Sequence, residues 1–284
     1  MHKLLRSGAG LSGLIIVLLV SLSAVLAPWL TPHDPVTVNP AVRMQGPSAE
    51  YLLGTDQYGR DTLTRILYGG RTSLGVAGVA VAFSLLIGTI LGALAGYYRG
   101  WLDVLVLRLT DVILSFPAIL LAIALLAFFG TGFQNLVLAI GIVYIGPFTR
   151  VVRAAVLSVR EELYVEASRA TGNPDVRTLL LTVLPNSLSP LIVEVTLRLA
   201  YAILAEASLS FLGLGAQPPA ASWGQMIAEG RRYLQLAVWP TIAPGLAIMV
   251  AVLGLNLLGD GLRDAFDPRV RSIAARTAGH KRPA

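Results

Sequence analysis

Apolar and polar positions along this chain alternate on a scale of tens of residues. Long apolar runs fall at about 11–30, 72–97, 115–130, 133–155, 188–212 and 237–258, separated by polar stretches. Several reach or exceed the roughly 20 residues that a helix needs to cross a bilayer. The pattern predicts an all-α, polytopic membrane protein with about six transmembrane helices. Its first unit is residues 1–71, a first helix followed by a polar extracytoplasmic loop. The second is residues 72–284, a transmembrane domain with one sizeable cytoplasmic loop at about 156–187. The first run follows Lys3 and Arg6, and Val25-Leu26-Ala27 has the look of a signal-peptide cleavage site. Pro28 directly after Ala27, and the length of the run, favour an uncleaved first span.

Composition sharpens this picture. Of 284 residues, 55% are hydrophobic and 13% charged, against about 25% charged in soluble domains. The absence of cysteine removes disulfides, thiolate metal sites and a Cys nucleophile. His2, His33 and His280 lie near the termini or in a loop, so no metal site is expected in the membrane. A net charge of +6 raises nucleic acid as a partner, but no basic block is interleaved with aromatics. Basic excess in a membrane protein instead marks its cytoplasmic segments. One set of connecting segments carries fifteen Lys and Arg, from Lys3 and Arg6 through Arg99, Arg150, Arg153 and Arg169 to Arg282. The other carries six: Arg43, Arg60, Arg65, Arg71, Arg231 and Arg232. Both termini of this multi-pass protein are therefore expected in the cytoplasm.

The inner loop has the most legible local pattern. Leu163, Glu166, Ala167 and Ala170 recur at helical spacing. Gly172 can stop that helix by taking positive φ. Pro174 suits the start of a second helix, whose N-terminal dipole Asp175 complements, and Pro185 interrupts the chain again. A short helix–turn–helix on the cytoplasmic face is expected, either a plain connector or a contact surface.

At these residues the chain resembles the membrane subunits of binding-protein-dependent ABC importers. Their signature reads E-A-A, three residues, G, then L-P downstream. Here it stands as Glu166-Ala167-Ser168, Gly172 and Leu184-Pro185, with Ser168 in place of the second alanine. A narrower resemblance, to the C-type permeases of dipeptide, oligopeptide and nickel systems, covers about residues 50–269. It rests on Gly54-Thr55-Asp56-Gln57-Tyr58-Gly59-Arg60-Asp61, on Ser208-Leu209-Ser210-Phe211-Leu212-Gly213-Leu214-Gly215 with Ser222-Trp223-Gly224, and on Gly259-Asp260-Gly261-Leu262-Arg263-Asp264 running on to Asp267-Pro268-Arg269.

The resemblance implies a type I ABC importer permease fold and a permease forming half of a translocation pathway for short peptides or a related small solute. Glu166, Ala167, Ser168, Gly172, Leu184 and Pro185 would then be the ATPase-coupling residues. The implied partners are a homologous permease in a heterodimer, two cytoplasmic ABC ATPase subunits, an extracytoplasmic solute-binding protein, and membrane lipid. ATP and Mg would be used by the ATPase chains, with no cofactor bound here. Independently of the resemblance, no G-x-x-x-x-G-K-[ST] phosphate loop occurs in the sequence.

Other positions admit two readings each. Residues 54–61 can be a turn whose Arg60 and Asp61 are satisfied locally, or a ligand contact. Residues 213–219 can be a surface or re-entrant turn closing a span. Gly259-Asp260-Gly261 has a superficial likeness to an intramembrane aspartyl protease, but no second membrane carboxylate matches it, and a helix-end cap is expected. Ala80, Ser84, Gly88, Gly92 and Gly96 recur every four residues, a face on which two helix backbones can approach closely. Glu194 and Arg198 are one helical turn apart and can pair, with Glu206 further along the span. Ionisable residues at membrane depth line an aqueous path or pair with one another, so these three are the pathway candidates. The rival to ATP-driven import is a proton-coupled secondary transporter using Glu194 or Glu206, and no inverted repeat supports it. A membrane enzyme is disfavoured by the lack of any nucleophile–base pair.

Overall fold

The computed structural model describes residues 7–266. Lys3, Arg6, His2, His280, the motif end at Asp267-Pro268-Arg269 and the basic residues beyond it lie outside the described residues. The chain starts with α1 (Gly8–Val25) and a short turn of helix, α2 (Ala27–Leu30). An irregular segment with one 3₁₀ turn (Pro40–Val42) leads to α3 (Thr62–Tyr98), which is 37 residues long. It begins at Thr62 rather than at residue 72, because Asp61 caps it by accepting the Thr64 N–H at 2.9 Å. The expected boundary between residues 71 and 72 falls inside this helix.

The third span differs most from expectation. The run at 115–130 forms only α5 (Ala118–Phe129), whose 12 residues extend about 18 Å, short of a bilayer. It is one arm of a broken pair with α4 (Gly100–Leu114), the two bent by 90° around Ser115–Pro117. Pro117 has no N–H to continue a helix and forces Phe116 away from helical geometry. Then come α6 (Phe133–Arg160), α7 (Leu163–Ala170), α8 (Asp175–Thr178), a π-helical turn (Leu179–Val183), α9 (Leu184–Asn186), α10 (Leu188–Phe211), α11 (Trp223–Gly230) and α12 (Trp239–Phe266). Among the described residues, five helices are long and apolar enough to span a membrane, six if the bent pair is counted as one span.

On α3 the buried stripe is made of small residues, and large apolar side chains are exposed on several helices. Leu19, Leu22, Leu86, Ile90, Leu246 and Leu253 face outward, while Ala77, Ala80, Ser84, Gly88, Gly92 and Gly96 are inside. In water that arrangement would waste the hydrophobic effect; against lipid tails, close backbone packing is what remains to drive association. The four-residue stripe on α3 meets α6. A Cβ on Gly88 would stand 2.5 Å from Phe148 Cβ, and one on Gly92 2.5 Å from the Thr149 carbonyl oxygen. Ser84 donates from Oγ across the contact to the Gly141 carbonyl at 2.8 Å. The structural reading of the stripe holds. Two other glycines, Gly13 on α1 and Gly254 on α12, bring those two helices together in the same way.

α12 continues through Asp260 to Phe266, so Gly259-Asp260-Gly261 is helix interior and no cap. Gly259 lets the helix approach Thr196 of α10, and Asp260 is exposed.

Candidate functional site

Three regions carry the candidate residues. The first is the inner loop. Gly172 has φ of +82°, in the left-handed region that favours glycine, and ends α7 one residue after Thr171. Asp175 opens α8 after Pro174. Ahead of Pro185 the chain widens into the π turn, where the Leu184 N–H donates to the Leu179 carbonyl. A proline ring clashes with the carbonyl four residues back, and a π turn is one way to absorb it.

α7 is held by one buried side chain. Val165 is fully buried among Ala93, Tyr97, Val152, Val156, Leu179 and Val183. The opposite face is open: Leu163 is 80% exposed and Tyr164 45%, and Glu166, Ala167 and Gly172 are exposed beside them. Ser168 turns inward, its Oγ 3.3 Å from Thr178 Oγ1 and 3.3 Å from Asn173 Nδ2, so the substitution for the second alanine ties α7 to α8. Leu184 is half-buried and Pro185 exposed.

An anchor here escaped the sequence. Tyr97, at the end of α3, donates its hydroxyl to Asp175 Oδ1 at 2.7 Å and accepts from Arg169 Nε at 3.3 Å. Arg169 lies 5.0 Å from the Tyr97 ring centroid, and Arg160 donates to the Tyr97 carbonyl. One tyrosine thus joins the loop's two helices to the end of the longest span. Nearby, Arg153 makes a two-pronged contact with Asp103 of α4, its Nη2 2.6 Å from Oδ2, and Arg150 reaches Asp111 at 2.6 Å. These pairs hold the bent α4 against the same end of α6.

The second region lies within α10. Arg198 Nε donates to Glu194 Oε1 at 2.6 Å, so the pair expected from i,i+4 spacing is formed. The guanidinium also lies 5.6 Å from the Tyr144 ring centroid and 5.8 Å from that of Tyr201. Glu206 is not brought to this pair. It is fully buried, and its Oε1 accepts from Ser210 Oγ at 2.6 Å. Its neighbours belong to the packing of α11: Ser222 caps that helix, and Trp223 donates from Nε1 to the Ile66 carbonyl at 2.9 Å and from its backbone N–H to Ser73 Oγ at 3.2 Å. A Cβ on Gly224 would stand 2.2 Å from the Ala207 carbonyl oxygen. Ser222-Trp223-Gly224 is therefore a wedge, with cap, anchor and close approach in three consecutive residues.

The third region is an ion network at the other end. Asp61 is satisfied within the turn only at Oδ2, which accepts from Thr64, while its buried Oδ1 has no partner; Arg60 is not satisfied locally either, for besides Asp56 at 2.6 Å it reaches Glu229 of α11 at 2.9 Å. Arg65, 1% exposed, sits between Asp56 at 3.6 Å and Glu229 at 3.3 Å. Gln57 and Gln225 also donate to the Glu229 carboxylate, at 3.1 and 3.0 Å. Glu229 lies far away in sequence, inside a short polar stretch, and nothing in its local pattern marked it.

Long packed spans, a helical loop pinned to their ends, and a second connecting region locked at the far end define a polytopic helical membrane protein. The comparisons agree. The family described as binding-protein-dependent transport system inner membrane component matches residues 88–272, and the N-terminal TM domain of oligopeptide transport permease C matches residues 1–47. The dipeptide transport system permease protein DppC of Alkalihalophilus pseudofirmus is 48% identical over 95% of this chain and 89% of its own. The di/tripeptide transport system permease protein DppC of Pseudomonas aeruginosa is 44% identical over 93% and 89%. The glutathione transport system permease protein GsiD of Pectobacterium atrosepticum is 44% identical over 92% and 87%. A solved structure of the MetNI methionine ABC transporter, in an inward-facing conformation, shares the fold with a TM-score of 0.59 at 21% identity, over 70% of this chain and 95% of that one. The chain belongs to the family of binding-protein-dependent transport system inner membrane components and is a membrane-spanning permease subunit of an ABC importer. Nothing in the comparisons supports a proton-coupled carrier.

Proposed function

We propose that this permease pairs with a homologous permease and lines half of a pathway for short peptides. Two cytoplasmic ATPase chains, using ATP and Mg, drive it, and an extracytoplasmic binding protein delivers the solute. Both termini and the 156–187 loop face the cytoplasm, and the polar segment before α3 and the α11 region face outward. The observation that carries this reading is the two-sidedness of α7: Val165 anchors one face, while Leu163, Tyr164, Glu166 and Ala167 stand free on the other. A short helix presenting an apolar and acidic edge suits a groove on a partner. Glu166, Ala167, Ser168, Gly172, Leu184 and Pro185 form this coupling unit, and movement of the ATPases passes through Tyr97 to α3. Glu194 and Arg198 line the pathway; Glu206 supports α11. The peptide cargo is taken from the names of the relatives.

The test is uptake of radiolabelled Ala-Ala into proteoliposomes holding the assembled importer and its binding protein. Uptake should require ATP and persist without a proton gradient. Uptake driven by a proton gradient without ATP would overturn the mechanism.

A further inference from the structure

The outward surface of α4 divides into two stripes. Leu105, Leu109, Val112 and Phe116, at helical spacing, make one that is exposed and wholly apolar. Beside it Arg108, Asp111 and Ser115 make another that is also exposed and is polar. An amphipathic helix normally turns its apolar side inward. Here the inward side is a third face, carried by Val106 and Thr110, and both stripes look out. Lipid suits the first stripe and not the second.

Depth sharpens the contrast. Leu114 packs on Gly146 of α6, where an added Cβ would stand 3.1 Å from Leu114 Cγ. Arg150, one turn further along α6, reaches Asp111 Oδ1 at 2.6 Å. The adjoining Thr149 lies against Gly92 of α3, and Phe148 against Gly88. At that height α3 turns Ile90 outward, and it runs about two more turns to its end at Tyr98. The Asp111–Arg150 pair is thus roughly 10 Å inside the end of the bundle, yet its side chains are 48% and 51% exposed. Arg108 has no carboxylate within salt-bridge distance among the described residues. Ionisable groups open at membrane depth face water or a partner. A protein surface closing over this stripe would have to pair the Arg108 cation and every polar atom that the single Asp111–Arg150 bond leaves unused, whereas water satisfies them all. We propose that Arg108, Asp111, Ser115 and Arg150 line the water-filled inner part of the translocation pathway, and that the apolar stripe beside them marks where that water ends. The proposal rests on the import reading above and adds a wall to the path. Glu194 and Arg198 stand further out, beside Tyr144, so a zwitterionic solute meets paired charges at two successive heights.

The chain has no cysteine, so a single introduced thiol reports on one position. The experiment places Ser115→Cys or Val112→Cys, neither of which disturbs an ion pair, in the assembled importer in lipid nanodiscs. Each is treated with a charged, membrane-impermeant methanethiosulfonate, and the label on this chain is read by mass spectrometry. Without nucleotide, position 115 should react at least about tenfold faster than position 112, because the reactive thiolate forms in water and not against lipid. Arg108→Cys, on the same stripe, should follow position 115 and serves if S115C does not assemble. Trapping the ATPases with ATP and vanadate should slow position 115 about tenfold as the population with an open inner mouth falls. Equal rates at 112 and 115 would overturn the proposal. So would no reaction at 115 or 108, which would give the stripe to a partner surface, and so would a fast rate that trapping leaves unchanged, which would mark a surface outside the path. Dipeptide uptake that needs no ATP, with 115 still the faster position, would instead remove the ATP-driven reading and leave the water-lined wall standing.

Discussion

Arg198 and Glu194 show how a charge is kept inside a span: each is the other's partner, and Tyr144 and Tyr201 surround the cation with ring faces. An unpaired charge near mid-membrane costs roughly 2.5–3.5 kcal/mol on insertion scales. Glu194→Gln or Arg198→Gln alone should therefore reduce assembled transporter or uptake, and the double substitution should recover part of the loss. A double variant whose losses simply add, measured as uptake per assembled complex, would sink the pairing as a functional unit. Arg65 poses the same problem with more partners. Removing Glu229 takes a carboxylate from both Arg60 and Arg65, and breaking a buried pair from one side costs about 3–5 kcal/mol. Glu229→Leu should lower the melting temperature of the detergent-purified complex, whereas Glu161→Leu, whose pair with Arg99 is exposed, should leave it nearly unchanged. Equal melting points for the two variants would contradict the network's role. The first pair was legible because both residues sit on one helix at fixed spacing. The second was not, because Glu229 finds Arg60 and Arg65 only through the tertiary fold.

At the scale of elements, glycine does two separable jobs. On α3 it admits another backbone: the Gly92 position has the Thr149 carbonyl and Val152 where a side chain would stand. Gly92→Leu should prevent stable packing of α3 on α6 and abolish accumulation of the protein in the membrane, read by immunoblot. Normal accumulation would mean that the two helices do not pack as seen. At Gly172 the space is open, with nothing within 4 Å of an added Cβ, and only the backbone at φ +82° objects. Left-handed geometry costs a non-glycine residue roughly 1–2 kcal/mol, and asparagine tolerates it best. Gly172→Val should keep the complex assembled but depress ATP-dependent uptake, while Gly172→Asn should retain most of it. Equal uptake by both variants would show that the turn is not under conformational demand. The glycine stripe and the turn were readable because each is a local rule, period four or a lone stop signal. The broken α4–α5 pair was missed because apolar composition alone cannot tell a straight span from a short one bent at Pro117. The start of α3 at Thr62 was missed because its first turns are polar, though Asp61 stood there as a cap.

For the whole molecule, the two ends of the bundle are built differently. At one end Tyr97 gathers Arg169 and Asp175 and joins the inner loop to α3. At the other, Asp56, Arg60, Arg65 and Glu229 join the outer segment to α11. α3 runs from one cluster to the other, so a push on α7 can reach the outer region through a single rigid element. The central claim is that α7 is the surface on which the ATPase acts. The direct measurement places a photo-crosslinking side chain at Leu163, which is 80% exposed, and at Leu236, which is 72% exposed near the opposite cluster, in the assembled importer. The account predicts ATPase adducts from position 163 and none from 236. No ATPase adduct from position 163, or adducts from 236 instead, would contradict it.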